Sequence, residues 1–205
     1  MSKDEKIDLF KAHKDQYIAR RKPVFVELPP IPYLSIHGKG GPGGEDFERC
    51  ISALYGMAFT IKMRRKFGQG QDYVVCKLEG IYGEKNPKMD LISLPKEEWD
   101  WRLMIRVPEF ITQEERDEAE AALLDKGKDP AVKEVRIEVV EEGRCVQMLH
   151  LGPYEEEGRT LEVMAGFAAE EGLALAKPHH EIYLSDPRRV PPERLKTILR
   201  RRVEG

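Results

Sequence analysis

Cysteine is scarce in this chain. Cys50, Cys76 and Cys145 are an odd set among 205 residues, with none of the paired spacings that hold zinc. That excludes a disulfide scaffold and a cysteine-built metal centre, and it reads as small buried thiols, kept reduced, in a cytoplasmic protein. Long apolar runs are missing too. Nothing approaches the length of a bilayer span, and the opening MSKDEKIDLFKAHKD has no signal-peptide core, so no membrane partner is expected. Strong charge of one sign is also absent: 34 basic against 37 acidic side chains leave −3, which gives no reason to expect nucleic acid. The basic C-terminal RLKTILRRRVEG reads as a solvated edge.

The motifs of several enzyme classes are lacking as well. GKGGPGG (38–44) is rich in glycine, but no Lys-Ser/Thr follows it and Pro42 interrupts it, so it reads as a strand-to-helix loop and not a phosphate cradle. There is no nucleophile elbow. The five histidines show neither HxH nor HxxxH spacing, and the adjacent His179 and His180 point to opposite faces of a strand. Neither a metal nor a cofactor is expected.

What is present is a globular composition, 40% hydrophobic and 35% charged, with enough length to bury a core in one large domain or two small ones. Residues 1–19 carry sparse apolar positions and read as an N-terminal helical extension. PVFVELP (23–29) and PYLSIHGKG (32–40) alternate like strands around a proline turn. Phe47, Ile51, Leu54, Ala58 and Ile61 follow helical spacing, with Gly68 as the stop. DYVVCKLEGIYG (72–83) and EWDWRLMIRVPEF read as two further strands, separated by a polar excursion over 84–98.

Next, TQEERDEAEAALLDKG is a linker helix over 112–127, capped by Thr112 with Glu115 three residues on. KEVRIEVVEEG and RCVQMLHLGP are strands, GRTLEVMAGFAAEEG is a helix, and HHEIYLSDP and KTILRRRV are strands. Each half therefore reads strand-strand-helix-strand-strand. The letters echo as well: LSIHGKG lies against QMLHLGP, LEGIY against HEIY, and LMIRV against ILRRRV. The reading is an α+β fold of two duplicated modules, over about 20–110 and 132–205, whose antiparallel sheets pair and leave a central ligand cleft.

The strand HHEIY carries the strongest functional lead. Alternation puts His179, Glu181 and Tyr183 on one face and His180, Ile182 and Leu184 on the other, the second set suited to a core. A carboxylate beside a phenol on a concave face can hold a cation or activate water. Burial raises a carboxyl's pKa unless a neighbour such as Tyr183 or a histidine stabilises the ion. Glu79 and Tyr82, three apart, fall on opposite faces unless Gly80 marks a bulge that turns both inward. Trp99 and Trp101 share a strand face and could stack on a flat ligand, or fill the core. Tyr33 and Met148 fall on cleft-facing positions or in ordinary packing.

The order and length of ALYGMAFTIKM (53–63), LEGIYG (78–83), DWRLMIRVPEFIT (100–112), CVQMLHLGPYEEE (145–157) and HHEIYLSDPRRVPPERLKTILR (179–200) resemble the GyrI-like small-molecule-binding domain family. That family is related to the effector-binding domains of multidrug-sensing regulators, and its fold is two tandem βαββ-type (SHS2-like) modules. The match is to its stand-alone branch, since fewer than 20 residues before the first strand leave no room for a helix-turn-helix. For that branch the resemblance implies hydrolysis of cyclopropane-bearing, DNA-alkylating natural products, whereas other relatives only bind drugs or a protein. It maps the family glutamate and its neighbouring tyrosine onto Glu181 and Tyr183. After the first-half LEG, this chain has Ile81-Tyr82-Gly83 where relatives often show paired aromatics.

Two readings follow from the residues and the resemblance together. One is a cofactor-independent hydrolase in which Glu181 activates water, Tyr183 assists, and Trp101 and Tyr82 hold a planar, electrophilic ligand. The ligand-binding set would also include Glu79, Trp99, His179, Tyr33 and Met148. The other is a protein that binds and sequesters aromatic, cationic drugs or metabolites unchanged. A protein partner, such as a topoisomerase, is not expected.

Overall fold

A computed structural model describes residues 6–85 and 94–204. Its elements are α1 (Leu9–Ala12), β1 (Val24–Leu28), β2 (Ile31–Lys39), α2 (Glu45–Gln69), β3 (Leu78–Tyr82), β4 (Asp100–Arg106), α3 (Gln113–Asp125), β5 (Arg136–Val140), β6 (Gly143–Leu151), α4 (Glu157–Glu170), β7 (Ala174–Leu175), β8 (His179–Tyr183) and β9 (Lys196–Glu204). The class is α+β, and every described strand pairing is antiparallel. Residues 1–5 of the expected N-terminal extension and residues 86–93 of the polar excursion lie outside the described residues.

Local chemistry explains most boundaries. Thr112 Oγ1 accepts from the Glu115 backbone N–H while the Glu115 carboxylate accepts from the Thr112 N–H, the reciprocal cap that starts α3. The helix α2 runs past Gly68 and stops at Gly70. Gly70 takes the left-handed conformation, φ 73°, which ends a helix and which a side chain resists. The expected helix over 1–19 is instead two short pieces, α1 and a 3-10 turn at Lys14–Tyr17. The strand expected over 72–83 contracts to β3, with Tyr73 making an isolated bridge to Ile7.

The described residues form two compact units, each drawn from both halves of the chain. Of the described residues, one gathers 6–13, 31–76 and 96–140; the other gathers 14–30, 77–85, 94–95 and 141–204. In the first, β2 lies between β4 and β5. Leu34 and Ile36 of β2 and Leu103 and Ile105 of β4 are buried on one face, where α2 packs: Phe47 meets Trp101 edge-on at 5.1 Å. In the second, the strand order is β1-β6-β9-β8-β3, with β7 on β9. Helix α4 covers one face of this sheet, its Met164 and Ala168 packing on Val146 and Leu199. Strands β1 and β5, equivalent in the duplication, each pair in the unit built mainly from the other half. Local periodicity cannot show such long-range pairing.

Candidate functional site

Register places the site. On β8, Glu181 stands opposite Leu199 of β9 on one side and Gly80 of β3 on the other, while His179 stands opposite Tyr82. Directly opposed residues of a sheet share a face, so Glu181, His179, Tyr183 and Tyr82 lie on the side that α4 covers. This face is therefore roofed: Leu199 belongs to the α4 core, and Glu181 sits beside that core under the first turn of the helix.

Gly80 makes the aromatic arrangement fit. A Cβ there would stand 3.0 Å from the Tyr82 ring, so the missing side chain leaves room for the phenol next to Glu181. The Tyr82 hydroxyl lies 2.6 Å from that of Tyr183, which donates to Glu181 Oε2 at 2.8 Å. Because the Tyr183 proton goes to the carboxylate, Tyr82 is the donor to Tyr183. His179 Nε2 lies 2.9 Å from Glu181 Oε1, and its ring stacks on Tyr82 at 5.6 Å. Tyr154, in the turn before α4, meets Tyr183 edge-on at 5.9 Å. Burial, reinforced by the Glu181 charge, pushes the phenols of Tyr82 and Tyr183 well above their ordinary range and that of Tyr154 up to about 12. All three are neutral near pH 7. Tyr183 and His179 thus each meet one oxygen of Glu181.

A second carboxyl faces the first. Glu157, the first residue of α4, has an oxygen within 4.8 Å of ligand atoms of both His179 and Glu181. Glu157 and Glu181 are only 7% and 8% exposed. Burial first, then the Glu181 charge, raises the Glu157 carboxyl to about 10. The helix start favours negative charge by about 0.3–1 kcal/mol. Two charges no more than 4.8 Å apart repel by about 3 kcal/mol or more at an effective dielectric of about 20. Repulsion wins, and the pair holds one proton. Among the described residues, Glu157, His179 and Glu181 also form a group that could hold a cation. A metal would have to take the His179 Nε2 that now faces Glu181. The no-metal expectation came from chain spacing, which had no means of bringing Glu157 to this place.

The chain matches the model for the GyrI-like small molecule binding domain over residues 103–203. It is similar to an uncharacterised conserved protein of Listeria innocua, with 39% identity, TM-score 0.88, and coverage of 97% of this chain and 100% of that one. It is also similar to a hydrolase from Listeria innocua, with 38% identity, TM-score 0.88, and coverage of 98% and 100%. The chain belongs to the GyrI-like family. The EcmrR C-terminal domain shares the fold at 13% identity, with TM-score 0.56 and coverage of 90% and 98%. A comparison with curated proteins finds no match. No helix among the described residues of this GyrI-like domain is long and apolar enough to cross a membrane.

The remaining sequence candidates make contacts of their own. Strands β3 and β8 pair in continuous register without a bulge, so Glu79 opposes Ile182 on the face away from Glu181. There it accepts from Tyr17 at 3.1 Å, and His180 Nε2 lies 2.9 Å from it. Trp101 is in the first unit, 2% exposed, its indole N–H donating to Gly40 O and its ring occupying the space over Gly38. Trp99 is half-buried just before β4, its carbonyl accepting from Gly40. Tyr33, buried opposite Arg106, is on the other face of that sheet from Trp101. Met148 packs against the α4 core of the second unit. The sequence reading missed Glu157, Tyr154 and the clearance at Gly80. Glu157 is the last of three consecutive glutamates, and only its position at the helix start distinguishes it.

Proposed function

We propose that this GyrI-like domain is a cofactor-independent hydrolase of strained, electrophilic aromatic molecules, with cyclopropane-bearing DNA alkylators as its substrate class. The observation that carries the reading is the buried Glu181 carboxylate, held by Tyr183 and His179 within a group of neutral phenols. Glu181 takes a proton from the attacking water. The Tyr82–Tyr183 pair fixes its orientation, since Tyr183 spends its own proton on Glu181 and acts by positioning. The ring faces of Tyr82, Tyr154 and Tyr183 supply the surface against which a planar ligand is held. The 38%-identical protein described as a hydrolase supports the same reading. Incubation with a cyclopropane alkylator, followed by chromatography, is expected to show ring-opened product from wild type and at most about 1% of that rate from Glu181→Gln, the loss typical of a missing general base. Product no faster than in buffer, or an equally active variant, refutes it.

A second reading, binding without turnover, is favoured by one specific feature. Both oxygens of Glu181 already accept hydrogen bonds, which leaves less room for an attacking water and suits a fixed counter-charge. On this reading Glu181→Gln weakens cationic aromatic ligands by about 1–3 kcal/mol and spares neutral ones of the same outline. Recovery of intact ligand from the complex, by mass, decides between the two.

A further inference from the structure

Helix α2 leaves an apolar stripe uncovered. Its inner side packs into the first unit, where Leu54, Met57, Ala58 and Ile61 are buried. Tyr55, Phe59, Met63 and Phe67 recur every fourth residue and so form one ridge along the helix. Phe59, Met63 and Phe67 are 50%, 41% and 75% exposed, three of the five large hydrophobic side chains left exposed among the described residues. Tyr55 is half-buried and stacks on Phe59 at 6.2 Å. Single exposed apolar residues need no explanation, but a row of them on one helix marks a contact surface.

Charge is segregated along the same helix. Glu45, Asp46 and Glu48 stand in its first turn, and Lys62, Arg64, Arg65 and Lys66 near its end. At the start Asp46 pairs with Arg49, whereas Glu45 and Glu48 make no ion pair among the described residues. At the other end Arg64 pairs with Glu118 and Arg65 with Glu115, but Lys62 and Lys66 share the single carboxylate of Asp72. One end of the helix is left acidic and the other basic. At about 100° per residue, Glu48, Ser52, Phe59, Met63 and Lys66 fall within a sector of about 60°. All five are exposed.

We propose that this face of α2 docks against the same face of a second copy of the chain, the two helices antiparallel about a two-fold axis near Met57. A two-fold axis makes every contact reciprocal, so residues equally far from Met57 on opposite sides meet across it. Glu48 of one copy then meets Lys66 of the other, Ser52 leaves room for Met63, and Tyr55 packs on Phe59. Each pairing occurs twice. A shallow crossing of about 20° keeps both charged ends within reach. The antiparallel arrangement also sets each helix N-terminus beside the other's C-terminus, as the helix dipoles favour. An anionic membrane is the poorer occupant, because Glu45 and Glu48 would face it. A single pair of helices covers less than the standard interface of about 800 Å² per partner, so association is weak, with Kd on the order of 10–100 µM. The dimer forms whether the Glu181 site turns its ligand over or only holds it.

Sedimentation velocity of the full chain from about 1 to 300 µM tests this, with wild type expected to move from monomer towards dimer mass as concentration rises. Phe59→Ser changes an exposed side chain, so the urea midpoint is expected to hold while the dimer weakens at least about tenfold, the ring lying at the centre and counting twice. Glu48→Lys and Lys66→Glu each set like charges against one another at both ends, and each alone is expected to weaken the dimer at least about tenfold. Mixed in equal amounts, these two variants are opposite in charge at both pairings, and the mixture is expected to dimerise as well as wild type. A wild type that stays monomeric overturns the proposal. If that monomer sediments with phosphatidylserine vesicles, the stripe belongs to a membrane surface instead. A dimer unaffected by Phe59→Ser overturns the proposal by placing the contact elsewhere. A mixture that dimerises no better than either charge variant alone overturns the antiparallel register. Should Phe59→Ser fail to fold, the mixed charge variants decide alone.

Discussion

Gly80 shows how one missing side chain shapes this site. Its backbone sits in an ordinary strand with no positive φ, so alanine is tolerated by the main chain. The conflict is with the ring: the added Cβ would meet Tyr82 Cε2 at 3.0 Å and its Cζ and hydroxyl at 3.3 Å. The ring must move, and the 2.6 Å bond between the Tyr82 and Tyr183 hydroxyls moves with it. Gly80→Ala is expected to cost about 1–3 kcal/mol in urea unfolding, as overpacking does, and to weaken aromatic ligands. An unchanged midpoint and affinity would mean the phenol relaxes freely and plays no positioning part.

At the scale of elements, the most legible segments were those whose ends carry their own chemistry. The capping box of α3 is written in four letters, TQEE, and forms as read. Its value is open to direct measurement: Thr112→Ala removes the acceptor of the Glu115 N–H and should cost about 1 kcal/mol of stability by urea unfolding, with no change in ligand affinity, because the groups gathered at Glu181 come from β3, β8 and the start of α4. A loss below a few tenths would show that the Glu115 carboxylate caps the helix unaided. Strand β8 was legible in its alternation but not in its surroundings. His180 was expected to join an apolar core and instead lies 2.9 Å from both Glu79 and Glu142. Periodicity tells which residues share a face. It does not tell what covers that face.

At the scale of the whole chain, the second unit ties its distant segments together with charge. Glu142 faces His180 and, at 3.1 Å, Arg200, which also donates to Gln147 at 2.8 Å and to the carbonyl of Gln16 at 2.6 Å. Gln147 in turn donates to Ile18 O. Despite burial, His180 and Arg200 hold the Glu142 carboxyl down to about 2, and Glu142 with Glu79 holds His180 up to about 9.

A depressed carboxylate stabilises the fold above its ordinary 4.5 and loses that contribution as pH falls towards 2. A raised histidine stabilises below its ordinary 6.5 and loses that contribution as pH rises through 9. From these two groups alone stability should decline on both sides of a window from 4.5 to 6.5, and the raised Glu157 adds a loss that begins at 4.5 and runs through that window. Urea midpoints across pH check this. In His180→Gln the decline attributable to the histidine between 6.5 and 9 should vanish, and a variant that keeps it would place the titrating group elsewhere.

Sequence alone determined the α+β class, the order of elements, the duplicated letters and the Glu181–Tyr183 pair. Each of these depends on residues near one another in the chain, where helical and strand spacing and capping chemistry operate. Tertiary structure decided what came from far away. It brought Glu157 from the start of α4 to Glu181, put Glu79 on the opposite face, seated Trp101 over Gly38 in the first unit, and drew each compact unit from both halves of the chain. Strand register and helix placement set these contacts, and both are consequences of packing between segments up to 184 residues apart, as at Gln16 and Arg200.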